Sequence, residues 1–177
     1  VARLHTGDPC IYGAIQEQMA FFDEYGMSYH ITPGISSFQA AAAELRSQFT
    51  IPEKTQTIIL TRGEGRTAMP EKEKLHLLAR SQSTMCIFLS ITMLADVVKE
   101  LIEGGYAPST PIAIVQRASW PEQKIVRATL ETIVEEIADK GIDRTAMIVV
   151  SRCLGADYEL SRLYAPEFSH MFREASK

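Results

Sequence analysis

The feature that most constrains this chain is a set of short runs, apolar on consecutive residues, that alternate with helix-patterned segments. Residues 57–62 (TIILTR), 84–90 (TMCIFLS), 110–119 (TPIAIVQRAS) and 146–153 (AMIVVSRC) are of this kind. A strand that is apolar on successive positions has to bury both of its faces. Between these runs, residues 70–81, 93–105 and 130–141 carry apolar residues at helical spacing. The alternation predicts an α/β fold built on a largely parallel sheet covered by helices. Residues 120–123 (WPEQ) read as a hairpin turn into a further strand at 124–129, so the sheet of this half is expected to be mixed.

A first, shorter group of elements precedes them. Residues 1–7 and 28–32 read as strands, and 8–26 and 33–49 as the helical segments that follow each. In the 8–26 helix Asp8 stands near the N-cap, Pro9 at the first helical position and Gly26 at the stop. The apolar positions around Met19, Phe22 and Val98 are expected in the core. Residues 50–56 (TIPEKTQ) are polar, contain a proline and lack periodicity, which reads as a connection. The expected organisation is an N-terminal α/β part at 1–50, a linker at 51–56 and a C-terminal α/β domain at 57–177. The chain opens in a strand-like stretch without an initiator Met, so a fragment of a longer protein is expected.

Composition excludes several classes of function. Eighteen Lys and Arg against 22 Asp and Glu give a formal net charge of −4 over 177 residues, which argues against nucleic acid or an anionic membrane surface as the partner. No apolar run approaches the roughly 20 residues that cross a bilayer. Three cysteines, Cys10, Cys86 and Cys153, are odd in number and widely spaced. That pattern fits a reducing cytoplasm better than a disulfide scaffold or a structural zinc site. The histidines, His5, His30, His76 and His170, show no metal-ligand spacing, so no metal is expected.

Three loops carry the candidate chemistry. In LHTGDPCIYG, a Gly-Asp-Pro turn ends a strand and opens a helix, where ligands bind in open α/β sheets. Asp8 there either accepts from a ligand hydroxyl or amine, or simply caps the helix. In TPGISSF, Ser36 and Ser37 offer hydroxyls and first-turn N–H groups, again to a ligand or as a cap. In LTRGEGRTAMPEKE, Arg62 and Arg66 suit a polycarboxylate or phosphate, or belong to a solvated loop balanced by Glu64, Glu71 and Glu73. Arg117 adds a positive group past a strand end. Neither a Gly-x-Ser-x-Gly elbow nor a Walker loop nor a Gly-x-Gly-x-x-Gly fingerprint occurs.

Taken together, RLHTGDPCIYGAIQEQ, TPGISSFQAAAAEL, QTIILTRGEGRTAMPEKE, CIFLS and SRLYAPEFSHMFR resemble the tetrapyrrole methylases. These S-adenosylmethionine-dependent enzymes methylate ring carbons of cobalamin precursors and sirohaem. The resemblance implies a two-domain α/β fold whose N-terminal domain, with a mostly parallel sheet, is incomplete here by roughly the family's first third. It implies S-adenosyl-L-methionine as methyl donor, S-adenosyl-L-homocysteine as product, a small tetrapyrrole substrate and a homodimer.

By position in the family motifs, Gly7, Asp8 and Ile11 are expected to meet the adenosylmethionine, as are Ser36 and Ser37 of the second loop. Leu89 takes a place that relatives often fill with Met, Ala118 one that they often fill with Gly, and Thr145 and Ala146 open the last strand beside it. Tyr12, Arg62, Arg66 and Arg117 are expected to face the tetrapyrrole and its acetate and propionate groups. No catalytic base is identifiable, which suits a displacement driven by proximity and orientation. The alternatives are a methylase of another ring carbon, or a non-catalytic module that only binds ligand or dimerises.

Overall fold

A computed structural model describes residues 1–155 and Ser169 of the chain. Apart from Ser169, the SRLYAPEFSHMFR motif, His170 included, lies outside the described residues. Helices α1 (Gln16–Glu24) and α2 (Ser37–Leu45) come first. Strand β1 (Ile58–Arg62) follows, then α3 (Leu75–Leu78) flanked by short 3-10 turns, β2 (Thr84–Phe88) and α4 (Leu94–Glu103). Strands β3 (Pro111–Gln116) and β4 (Lys124–Thr129), helix α5 (Ile133–Ile137) and β5 (Ala146–Val150) complete the order.

The five strands form one mixed sheet in the order β1-β2-β5-β3-β4. β1–β2 is the one parallel pair among the described strands; β5 enters between β2 and β3, antiparallel to both, and β3 and β4 form the expected hairpin. The sheet of this half of the chain is mixed, as the WPEQ hairpin leads one to expect. The last strand returns through the centre, and a strand that fills a central gap from the opposite end has to lie antiparallel to its neighbours.

Burial follows the two-residue period of the strands. Met85, Ile87, Ile112, Ile114, Ile148 and Val150 point to one face, where they pack with Leu75 of α3, Leu94, Val97 and Leu101 of α4, and Ile133 of α5. Cys86, Phe88, Ala113, Val115, Met147 and Val149 point to the other, under Ala41 and Leu45 of α2 and Phe49. Both faces are covered, as the unbroken apolar runs require. Full burial of each Val, Leu, Ile, Phe or Met side chain contributes about 1.5–3 kcal/mol before entropy is charged against it.

The first 35 residues depart from expectation. Neither 1–7 nor 28–32 is a strand, because neither has a ladder partner among the described residues and an extended segment becomes a strand only by pairing. The 8–26 helix begins only at Gln16. Tyr12 and Ala14 take positive φ (56° and 51°), which a right-handed helix excludes, and Gly13 folds back onto the Pro9 carbonyl with no room for a Cβ. Asp8 therefore caps no helix. No residue of α1 is buried, so Met19 and Phe22 are not core, whereas Val98 is. Phe21 and Tyr25 stack on each other instead, with ring centroids 4.5 Å apart. Residues 51–55 make a tight turn closed by hydrogen bonds between Ile51 and Thr55.

Candidate functional site

Strand register gathers the expected residues along one end of the sheet. Arg62 pairs with Phe88, Ile87 with Ile148, Ala146 with Gln116, and Gln116 with Lys124. The residues just beyond this line are Gly63, Leu89, Thr145, Arg117 and Ala118, contributed by four strands. It is the carboxyl end of β1, β2 and β3, the usual ligand side of an open α/β sheet.

The backbone along this line is strained. Leu89, Arg117, Ser119 and Thr145 have φ of 56°, 50°, 71° and 52°. Left-handed backbone costs an L-residue about 1–2 kcal/mol, and such positions concentrate where a site dictates the chain path. At Leu89 the observation is doubled, since its side chain is also 75% exposed. An apolar side chain held out to solvent on strained backbone is a contact surface. The Arg117 N–H donates to the Thr145 carbonyl at 2.9 Å, fixing these two turns to each other.

The two glycine turns of the N-terminal part meet directly. Asp8 Oδ1 accepts from the Cys10 N–H at 2.8 Å, and Oδ2 accepts from the Gly34 N–H at 2.9 Å. A Cβ on Gly34 would run into the Gly7 carbonyl, and Gly7 itself has φ of 92°. Ser36 is buried at the N-cap of α2, where the Gln39 side chain accepts from its N–H at 2.9 Å in a capping box. The N–H groups of Ser37 and Phe38 find no acceptor among the described residues.

This pair of turns reaches the sheet edge through apolar contacts. Ile11 and Ala118 both pack against the face that contains Phe88, and the Tyr12 ring lies 4.9 Å from the Phe88 ring. The Tyr12 hydroxyl titrates above its usual range, chiefly because burial disfavours the phenolate; the nearby Arg62 opposes that shift and Glu73 adds to it.

The three arginines differ in how they are used. Arg62 turns its guanidinium onto its own loop: Nη1 donates to the carbonyls of Gly63 (3.1 Å) and Thr67 (3.0 Å), and Nη2 to that of Ala68 (2.9 Å). Arg66, at the far side of the same loop, is exposed and makes no hydrogen bond or ion pair to the described residues. Arg117 lies over the Trp120 ring, 5.8 Å from its centroid. Sequence reasoning missed Gly34, Phe88, Ser90 and Trp120 as parts of this region. Gly34 stands in the Pro-Gly turn, Phe88 and Ser90 in the CIFLS run and Trp120 in the WPEQ turn, but none of these signals gives the residue a part in the site.

The arrangement suits an organic ligand with a carboxylate and an apolar body. It offers glycine turns with no space for side chains, open N–H groups at a nine-residue helix, apolar surface from Ile11 and Ala118 on the Phe88 face, and the exposed Leu89, whereas Ala146 packs on the opposite face of the sheet. Among the described residues, no group of three His, Cys, Asp or Glu is placed to hold a metal ion. No helix there is long and apolar enough to cross a membrane.

The family model for tetrapyrrole (corrin/porphyrin) methylases matches residues 1–134. A cobalt-precorrin-4 C(11)-methyltransferase of Methanocaldococcus jannaschii is 53% identical over 178 residues, spanning 100% of this chain and 69% of that protein. A precorrin-4 C(11)-methyltransferase of Pseudomonas aeruginosa is 45% identical over 174 residues, spanning 98% of this chain and 69% of that protein. Among solved structures, a cobalt precorrin-4 methyltransferase of cobalamin biosynthesis superposes with a TM-score of 0.85 at 46% identity, over 86% of this chain and 64% of that one. A uroporphyrin-III C-methyltransferase from Thermus thermophilus, solved with S-adenosylhomocysteine, superposes with a TM-score of 0.69 at 23% identity, over 84% of this chain and 64% of that one, a likeness of fold alone. The chain thus spans about two thirds of the length of the proteins it matches.

Proposed function

The chain belongs to the tetrapyrrole (corrin/porphyrin) methylase family, and from that premise we propose that it methylates C-11 of precorrin-4 or cobalt-precorrin-4 with S-adenosyl-L-methionine, in cobalamin biosynthesis. The observation that carries this reading is the single sheet end that collects Gly63, Leu89, Ala118 and Thr145–Ala146, linked to the Asp8 turn by the Tyr12–Phe88 stack. When bound, S-adenosylmethionine supplies an electrophilic sulfonium methyl group.

The chain's own residues would bind, orient and exclude water. Asp8 holds the first turn against the second, so that Gly7 and Gly34 leave backbone accessible. The Ser37 and Phe38 N–H groups suit a carboxylate, which the dipole of α2 favours as well. Ile11, Leu89 and Ala118 provide apolar walls, and a reaction that discharges a cation gains from a dry surrounding. Arg66 and Arg117 are free to pair with substrate carboxylates, whereas Arg62 holds the loop that presents Arg66. No described side chain is assigned as a base. The order of binding groups supports a division at 51–56, with cofactor contacts from both 1–50 and 57–177, and a cytoplasmic homodimer is the setting we propose.

Calorimetry with S-adenosylhomocysteine on the intact protein, followed by a product assay on cobalt-precorrin-4, tests the reading. Saturable binding and a C-11-methylated product are expected. Binding without that product points to another ring carbon, and no binding at millimolar ligand leaves a non-catalytic module.

A further inference from the structure

Ser90, the last residue of the CIFLS run, is the side chain that joins the two halves of this site, and its residue type gives no sign of that role. It directly follows Leu89 and is 1% exposed. Its hydroxyl donates to the Phe88 carbonyl at 2.7 Å and accepts from the Gly63 N–H at 2.7 Å. A hydroxyl has a single proton to give, so that donor is committed, and burial keeps water from competing for it.

The two bonds act on different elements. The bond to Phe88 closes a loop around residue 89, and so helps to keep Leu89 at its φ of 56° with its side chain outward. The bond from Gly63 reaches across to the end of β1, where the arginine loop begins. Gly63 is buried here, and a Cβ on it would lie 3.0 Å from Met93 Sδ and 3.1 Å from Ser90 Oγ. Its carbonyl accepts from Arg62 Nη1 at 3.1 Å. The peptide groups of Gly63 are therefore held by Ser90 on one side and Arg62 on the other. Arg62 in turn holds the carbonyls of Thr67 and Ala68, which flank Arg66 on its C-terminal side.

We propose that Ser90 is a positioning residue that couples the Leu89 surface to the Arg66 loop, so that filling the cofactor side strengthens tetrapyrrole binding. The inference rests on the reading of the site given above. In thermodynamic terms it is a coupling free energy between two ligands, and it must be reciprocal.

The test measures cobalt-precorrin-4 binding to the intact protein with and without saturating S-adenosylhomocysteine, in wild type and in Ser90→Ala. In wild type the product analogue is expected to tighten tetrapyrrole binding about fivefold or more, the lower range of typical coupling. In Ser90→Ala the factor is expected to fall below about twofold, with each ligand still bound. A residue with a merely structural role would lower the melting temperature and leave the factor intact, and that result overturns the proposal. Where the variant does not fold, hydrogen exchange of wild type decides. Added protection of the Gly63 amide on binding S-adenosylhomocysteine alone supports the coupling, and unchanged protection overturns it. Failure of wild type to bind S-adenosylhomocysteine is read separately; it removes the underlying reading and the coupling with it.

Discussion

Asp8 and Gly34, 26 positions apart, are joined by a hydrogen bond of 2.9 Å from the Gly34 N–H to Asp8 Oδ2, while Oδ1 of the same carboxylate accepts from Cys10. One side chain therefore sets the spacing of two turns that have no strand to hold them. Hydrogen bonds to an ionised group contribute about 1.5–3 kcal/mol each. Asp8→Ala is expected to weaken S-adenosylhomocysteine binding by about tenfold or more, while the melting temperature moves little because the sheet core is untouched. Gly34→Ala is expected to do the same by pressing a Cβ on the Gly7 carbonyl. Calorimetry and thermal unfolding on both variants would check this; unaltered affinity would separate the turns from the ligand site.

Arg62 and Arg66 are expected to behave differently although they share a loop. Arg66→Ala removes a guanidinium with no described partner, so KM for the tetrapyrrole should rise about tenfold at unchanged stability. Arg62→Ala frees three carbonyls, so it should disorder the loop and raise the same KM. Arg62→Lys is expected to recover little, since one ammonium cannot reproduce the fork that spans Gly63, Thr67 and Ala68. Steady-state kinetics beside amide exchange of residues 63–69 separates the two effects.

The three cysteines report on the site through their reactivity. Cys10 is exposed and follows the Asp8 turn, whereas Cys86 and Cys153 are buried. A thiol-alkylating reagent at pH 8 is expected to label Cys10 rapidly and the other two only after denaturation. Bound S-adenosylhomocysteine should slow labelling of Cys10. Peptide mass spectrometry identifies the labelled position, and rapid native labelling of Cys86 would contradict the packing described for β2.

Stability is expected to fall in alkali, in a window set by Cys86. Burial in the sheet raises its thiol pKa from an ordinary 9.0 to about 12. The folded state thus holds the proton more tightly than the unfolded chain does. Its contribution is complete below pH 9 and is lost as pH rises toward 12, at up to about 1.4 kcal/mol per pH unit. Tyr106, whose hydroxyl donates to the Ser83 carbonyl, is also raised by burial and adds to the upper part of that window. Chemical denaturation from pH 8 to 11 should show the slope, and Cys86→Ala should flatten it between pH 9 and 10. An equal slope in that variant would assign the alkaline loss elsewhere.

Much of the fold was legible where physical constraints are local. The runs TMCIFLS and AMIVVSRC announce strands covered on both faces, and Cys86, Ile87, Ile148 and Val149 are all buried. The WPEQ turn announces the β3–β4 hairpin. The same reasoning failed at 1–7 and 28–32, because extended propensity makes a strand only where a partner supplies the ladder. It failed at 8–15 as well, where Pro9 and Asp8 mimic a helix start but the backbone turns left-handed at Tyr12 and Ala14. At the arginine loop, residue type suggested two equivalent anion-binding groups, and only the hydrogen bonds distinguish Arg62 from Arg66.

By itself, then, the sequence determined the class of fold, the family and the turns that carry Asp8, Ser36 and Arg66, since these are written in apolar periodicity and in contiguous motifs. Tertiary structure alone decided that β5 enters between β2 and β3, that Gly63, Leu89, Thr145 and Ala118 share one sheet end, and that the Gly63 N–H reaches the Ser90 hydroxyl. Those features depend on pairings between residues tens of positions apart. Many strand orders satisfy the same local preferences, and only the packing of the whole core selects one.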